Sequence, residues 1–267
     1  MVTRKKRGAS SRKPSWSSPI TSLMADFIIT ALLPVLTTLI AEAAQGDARA
    51  QLSAIAQVDI PSEIMFIVSI LVMLMALGPL SKLLGGSLFN PCDVATLYAR
   101  GKCSFSSFLL RSIAQIAGAL SGAIAASKYL PATWALRGQA LVATTQPGID
   151  IIGGASSEFL LTYLVSLLVI ATQRSSRGRF IKYWTPLFAT AAALKVGARY
   201  SGPVLNPAAA LSWTYLYWNK QPLTVVQHLI VFWVAPVAAA VLATWTDLGM
   251  QSANASAGKK TARPKSD

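Results

Sequence analysis

Two tripeptides carry the most chemical information in the chain: Asn90-Pro91-Cys92 and Asn206-Pro207-Ala208. An asparagine oxygen can accept hydrogen bonds from the first free N–H groups of a helix. Proline at the first helical position gives up an N–H that would have had no partner anyway. Each step therefore starts a helix. Each follows glycine (Gly85-Gly86 and Gly202) and opens a segment about half a membrane long, 90–99 and 206–217. Two such starts, at matching places in a duplicated chain, predict half-helices that enter a membrane and aim their positive ends at one point.

The second candidate pair is Asp26 and Glu158, carboxylates inside apolar stretches, where charge is rare and functional by default. They could bind and release protons in a coupled transporter. They could instead accept hydrogen bonds from unpaired N–H groups of the loops before the half-helices. The second role is favoured, because both acids occupy one repeat position and no Lys or His partners them. A milder reading leaves Asp26 hydrated at the membrane edge. Other reactive groups are few. Cys92 and Cys103 give neither a disulfide framework nor a metal pattern. His228 is the only histidine, so no His-based triad or metal site can be built. No nucleophile–base pair or phosphate-binding loop is present, so an enzyme is not expected and no cofactor is called for.

The elements that must hold these residues are membrane spans. The chain of 267 residues is 53% hydrophobic and only 13% charged, against about a quarter charged in soluble domains. Six apolar runs, 21–41, 62–84, 105–130, 153–172, 181–199 and 223–246, approach the ~20 residues a bilayer needs. The halves echo each other, with Asp26-Phe-Ile-Ile-Thr30 matching Glu158-Phe-Leu-Leu-Thr162. Three spans per half invert the second half in the membrane. The expected fold is all-α: six transmembrane helices plus two re-entrant half-helices in an inverted 3+3 repeat, with repeat one at 21–130 and repeat two at 153–248. Gly118 and Gly122 form a close-packing face in the third span, and Pro34 and Pro236 bend the first and sixth.

A net charge of +14 could signal nucleic acid, but the basic residues cluster in tails and short loops, without a binding motif. Eighteen of the 24 Lys and Arg fall on the side of both termini, so the positive-inside rule places the tails 1–20 and 249–267 in the cytosol. The first tail is rich in Ser, Arg and Lys like a transit peptide, but reads as a solvated cytosolic segment. On the other side, Lys195 and Arg199 read as snorkelling to headgroups. A sharper role would make Arg199 a cation at the vestibule. His228 reads as interfacial, with pH sensing as the alternative.

Paired Asn-Pro motifs, acids four residues before Thr in spans one and four, and six spans with two half-helices resemble the aquaporin family over about residues 21–248. The stretch Tyr200-Ser-Gly-Pro-Val-Leu-Asn-Pro-Ala-Ala-Ala-Leu-Ser-Trp213, the first motif ending in Cys92 and the basic charge look most like the small basic intrinsic proteins of plants. The resemblance implies one pore per subunit and a homotetramer. It implies that Asn90 and Asn206 donate to passing water, and that Asp26 and Glu158 brace the re-entrant loops. Asp26 stands where the family usually has the longer Glu. Cys92 stands for Ala, which reads as size matching, with a reactive thiol as the alternative. Ala209 stands where an Arg usually follows the second motif. The filter then falls at Ile70, Leu194, Pro203 and Ala209, apolar and without a fixed cation.

The expected function is a passive channel for water, extending to small neutral solutes such as hydrogen peroxide or glycerol, with membrane lipid as surroundings and no nucleic-acid partner. The alternatives are a proton-coupled small-solute transporter and a non-conducting membrane scaffold. The resemblance implies the endoplasmic reticulum membrane, with the plasma membrane as alternative. The chain ends Pro-Lys-Ser-Asp, which is not a retention tetrapeptide.

Overall fold

The computed structural model describes residues 19–137, 141–202, 204–218 and 222–261. Pro203 and most of the amino-terminal tail lie outside the described residues, as do residues 262–267. Every described element is helical. Repeat one comprises α1 (Pro19–Gln45), α2 (Asp47–Ala56), α3 (Ser62–Leu83), α4 (Pro91–Ala99), α5 (Phe105–Tyr129) and the short α6 (Ala132–Arg137). Repeat two comprises α7 (Ile151–Arg174), α8 (Arg179–Gly197), α9 (Pro207–Leu216), α10 (Val225–Leu229) and α11 (Ala235–Thr261). The half-helices are α4 and α9, of 9 and 10 residues.

The packing has the symmetry expected of an inverted duplication. Within the repeats, α1 packs on α3 and α5, as α7 packs on α8 and α11. Across them, α4 packs on α11 as α9 packs on α5, while α3 meets α8 and α4 meets α9. Each half-helix therefore rests on the closing helix of the opposite repeat.

Lipid supplies little hydrophobic drive between helices, so close backbone approach must do more of the work. A Cβ added at Gly118 would lie 2.3 Å from the Phe27 carbonyl oxygen, and one at Gly122 2.0 Å from that of Ala31. The two glycines let α5 sit directly against the α1 backbone. On α11, which packs on α7 and α4, Ala239, Ala240 and Ala243 are fully buried. Large apolar side chains such as Phe105, Ile152 and Leu164 remain exposed on the outside, as a lipid-facing surface requires.

Among the described residues, five elements are long and apolar enough to cross a membrane: α1, α3, α5, α7 and the stretch Val225–Ser256. The sixth, α8, has 19 residues, roughly 28 Å at 1.5 Å per residue, about the hydrocarbon thickness. Arg179, Lys182 and Lys195 near its ends lower its apolar content. The last span departs from a regular helix. Ile230–Val234 form a π-helical turn between α10 and α11. Pro236 has no N–H for the carbonyl of Phe232, four residues earlier, so the regular ladder fails there and the turn widens. Helix extends beyond the expected spans in several places, the short α6 among them. The surface helix α2 was not expected, α1 runs on to Gln45, and α11 continues to Thr261. The continuation of α11 contains Ala253, Ala255 and Ala257, strong helix formers, and no proline before Pro264.

Candidate functional site

The two asparagines cap their helices as their sequence position dictates. Both have extended backbones, and the Asn90 oxygen accepts from Cys92 N (2.9 Å) while that of Asn206 accepts from Ala208 N and Ala209 N (3.1 and 3.3 Å). The amide nitrogens reach across the repeat boundary. Asn90 Nδ2 donates to the Leu205 carbonyl and Asn206 Nδ2 donates to the Phe89 carbonyl, each at 2.9 Å. Each asparagine thus ties down the residue before its counterpart. An amide NH2 carries two hydrogens, so each retains one donor beyond this crosslink.

The loops before the half-helices are held by the two acids in different ways. Glu158 is fully buried and reaches the backbone directly, accepting from Val204 N (3.0 Å) and Leu205 N (3.1 Å), with the Ser201 hydroxyl also in reach. Leu205 has φ 54°, a left-handed conformation costly for a γ-branched residue. Its N–H is held by Glu158 and its carbonyl by Asn90, so both sides of the strained residue are fixed.

Asp26 accepts from only one loop N–H, Leu88 N at 2.7 Å. Its remaining capacity goes to a bidentate pair with Arg111 (Nε 2.6 Å, Nη2 2.8 Å) and to Gln115 Nε2 at 3.3 Å. Gln115 Nε2 also donates to the Leu88 carbonyl at 3.1 Å. Asp26 is 0% exposed, which corrects the reading of a hydrated residue at the membrane edge. A buried carboxylate requires a partner, and Arg111 on α5 supplies it. In sequence this arginine reads as a loop charge at the start of a span; the partner is neither a Lys nor a His but a guanidinium.

A cavity of about 1080 Å³ runs from the amino-terminal end of α3 past both asparagines to Thr96 on α4. Ile70, Leu194 and Ala209 line it together with Asn90 and Asn206. Pro203, the fourth expected filter position, is outside the described residues. Pro91, Pro207 and Ala208 are buried off the cavity wall, whereas Cys92, 3% exposed, contributes to the lining. Asp26 and Glu158 do not line the cavity; their carboxylates face the loops.

The remaining expectations divide. Lys195 lines the cavity and pairs with Glu63 on α3. Arg199 is exposed and off the cavity wall. His228 is not interfacial. It is 1% exposed, set against the rings of Trp218 and Phe232 at 5.6 and 5.1 Å and hydrogen-bonded to the backbone of Ala210.

Two acids escaped the sequence reading. Asp247 on α11 is fully buried and accepts from Arg174 (Nε 3.1 Å, Nη2 2.9 Å), from Arg100 (3.4 Å) and from Gln251 (2.6 Å). It gathers the ends of α4, α7 and α11. Asp93, three residues after Asn90, lines the cavity and is exposed to it.

Paired half-helices, an inverted repeat and a shared internal cavity define a multi-pass membrane channel protein rather than an enzyme. A family model described as Major intrinsic protein matches residues 12–246, and the chain belongs to that family. It is 36% identical over 177 residues to Aquaporin SIP1-2 of Zea mays, covering 65% of this chain and 70% of that one. It is 35% identical over 180 residues to Aquaporin SIP1-1 of Oryza sativa subsp. japonica, with the same coverage. These relatives belong to the small basic intrinsic branch that the second motif resembled. Among solved structures, the aquaglyceroporin from Plasmodium falciparum matches with a TM-score of 0.69 over 85% of this chain and 95% of that one. At 15% identity that likeness speaks for the fold alone.

Proposed function

We propose that the protein is a passive channel for water that also admits other small neutral solutes such as hydrogen peroxide or glycerol. The observation that carries this reading is the convergence of Asn90 and Asn206 on one cavity wall, each with one amide hydrogen left over. Two donors and two opposed helix ends orient a passing water and interrupt a proton-conducting file. Ile70, Leu194, Pro203 and Ala209 form its filter. Without a cation at Ala209 this filter is wider and less selective than one closed by a guanidinium. Asp26 and Glu158 act as loop braces. The proton-coupled alternative loses ground, since both carboxylates are occupied by loop donors and lie off the cavity.

The excess of basic residues on one side supports a cytosolic location for both termini. The branch to which the relatives belong favours the endoplasmic reticulum membrane, and the family fold favours a homotetramer. Stopped-flow light scattering of reconstituted vesicles tests the function. Water permeability well above empty vesicles, with glycerol entry reduced in Ala209→Arg, is the expected result. Permeability equal to empty vesicles would refute the channel and favour the non-conducting scaffold.

A further inference from the structure

The cavity wall carries three charged residues among those described: Glu63, Lys195 and Asp93. Glu63 and Lys195 pair with each other and cancel. The Asp93 carboxylate takes part in no hydrogen bond or ion pair among the described residues, while its backbone N–H bonds to the Asn90 carbonyl. Arg111 attracts it electrostatically, but that guanidinium is bound bidentately by Asp26. The wall between the half-helices therefore carries one uncompensated negative charge.

Its position gives the charge its effect. Asp93 is the third residue of α4, within the first turn beyond the Asn90 cap. The field that repels cations from such a cavity comes from the amino-terminal ends of α4 and α9, each equivalent to roughly +0.5 charge. One carboxylate in the same turn is about equal and opposite to both ends together. A fixed cation at the filter would restore the barrier, but position 209 is alanine. Around the carboxylate the lining is suited to a hydrated or hydrogen-bonding ion. Thr96 Oγ1, one turn along the same helix, donates to the Cys92 carbonyl and keeps its lone pairs. Thr162 also lines the cavity, with its hydroxyl oxygen buried in the wall.

We propose that Asp93 is a cation-binding and selectivity-determining residue, and that the channel admits small monovalent cations of the ammonium type beside neutral solutes. Ammonium is close to water in size and presents N–H donors to a carboxylate and to threonine oxygens. This inference rests on the channel reading above and adds a charged solute to its neutral ones.

The test uses the full chain in proteoliposomes, with water permeability measured by stopped flow. On the same preparation, current under an ammonium chloride gradient is recorded after fusion to planar bilayers. The wild type should carry a current reversing toward the ammonium equilibrium potential. In Asp93→Asn the ratio of cation conductance to water permeability should fall at least tenfold, and Asp93→Glu should retain it. A wild type that passes water but no cation current overturns the proposal alone. So does a ratio in Asp93→Asn equal to that of the wild type. A wild type that passes neither refutes the channel reading, and the proposal falls with it. Should Asp93→Asn fail to fold, the charge-retaining Asp93→Glu and the charge-reversing Asp93→Lys decide the matter by the same ratio.

Discussion

The two repeats solve one problem, holding a non-helical loop deep in a membrane, by different means. In repeat two the longer acid, Glu158, spans the gap and takes two loop N–H groups itself. In repeat one the carboxylate is one methylene shorter and takes one. Arg111 and Gln115 on α5 complete the bracket, and Gln115 closes it by binding the Leu88 carbonyl. The loop of repeat one is thus held through a buried ion pair and that of repeat two through neutral donors alone. A short side chain converts a single-residue brace into a three-residue one and makes it dependent on a cation.

That contrast is open to attack, and the largest effect should come from Arg111→Ala. It leaves the Asp26 charge buried without its partner, a loss of about 3–5 kcal/mol. Thermal unfolding in detergent should show it, and an unchanged midpoint would mean the ion pair does not hold the loop. Replacing Asp26 and Arg111 together with leucine should recover part of the loss, because no charge is then stranded. In the other half, Glu158→Gln keeps one acceptor but turns an NH2 toward a loop N–H. The expected cost is about 1–3 kcal/mol, smaller than for Arg111→Ala by the same assay. A larger loss in Glu158→Gln would reverse the ranking of the two braces.

Gly122→Ala probes the same asymmetry in the helix packing. Its Cβ would fall 2.0 Å from the Ala31 carbonyl oxygen, so α1 must move, at about 1–3 kcal/mol. Gly78→Ala has nothing within 4 Å and should leave the midpoint unchanged. The smallest effects belong to the caps. Asn206→Ala frees two backbone N–H groups and Asn90→Ala one, so the first should cost more, with about 1 kcal/mol typical of one cap. Equal losses would mean the crosslinks to Phe89 and Leu205, not the caps, set the cost.

What could be read in the sequence follows a physical rule. Helix starts are local, so the Asn-Pro steps and the ends of α3, α4 and α5 could be set to within a residue or two. Duplication made Asp26 and Glu158 visible as a pair. Partnerships between distant residues leave no such trace. Arg111 sits among apolar residues at the start of a span and looks like a boundary charge until α5 is placed against α1. Asp247 lies one residue past an expected span end, where acids are ordinary. A capping rule pointed to the residues beside Asn90 but gave no reason to ask which side of α4 Asp93 occupies. His228 reads as interfacial because it opens an apolar run, and apolar content does not encode its packing against Trp218 and Phe232.

The crosswise amide bonds have a consequence for how such a chain could arise. Each half supplies the clamp that the other half lacks. One repeat made alone would expose a carbonyl and an amide with nothing to meet, at a depth where water is scarce. Its ancestor could have been stable only as an antiparallel pair of copies. Present-day single repeats should assemble in that way or not persist in a bilayer.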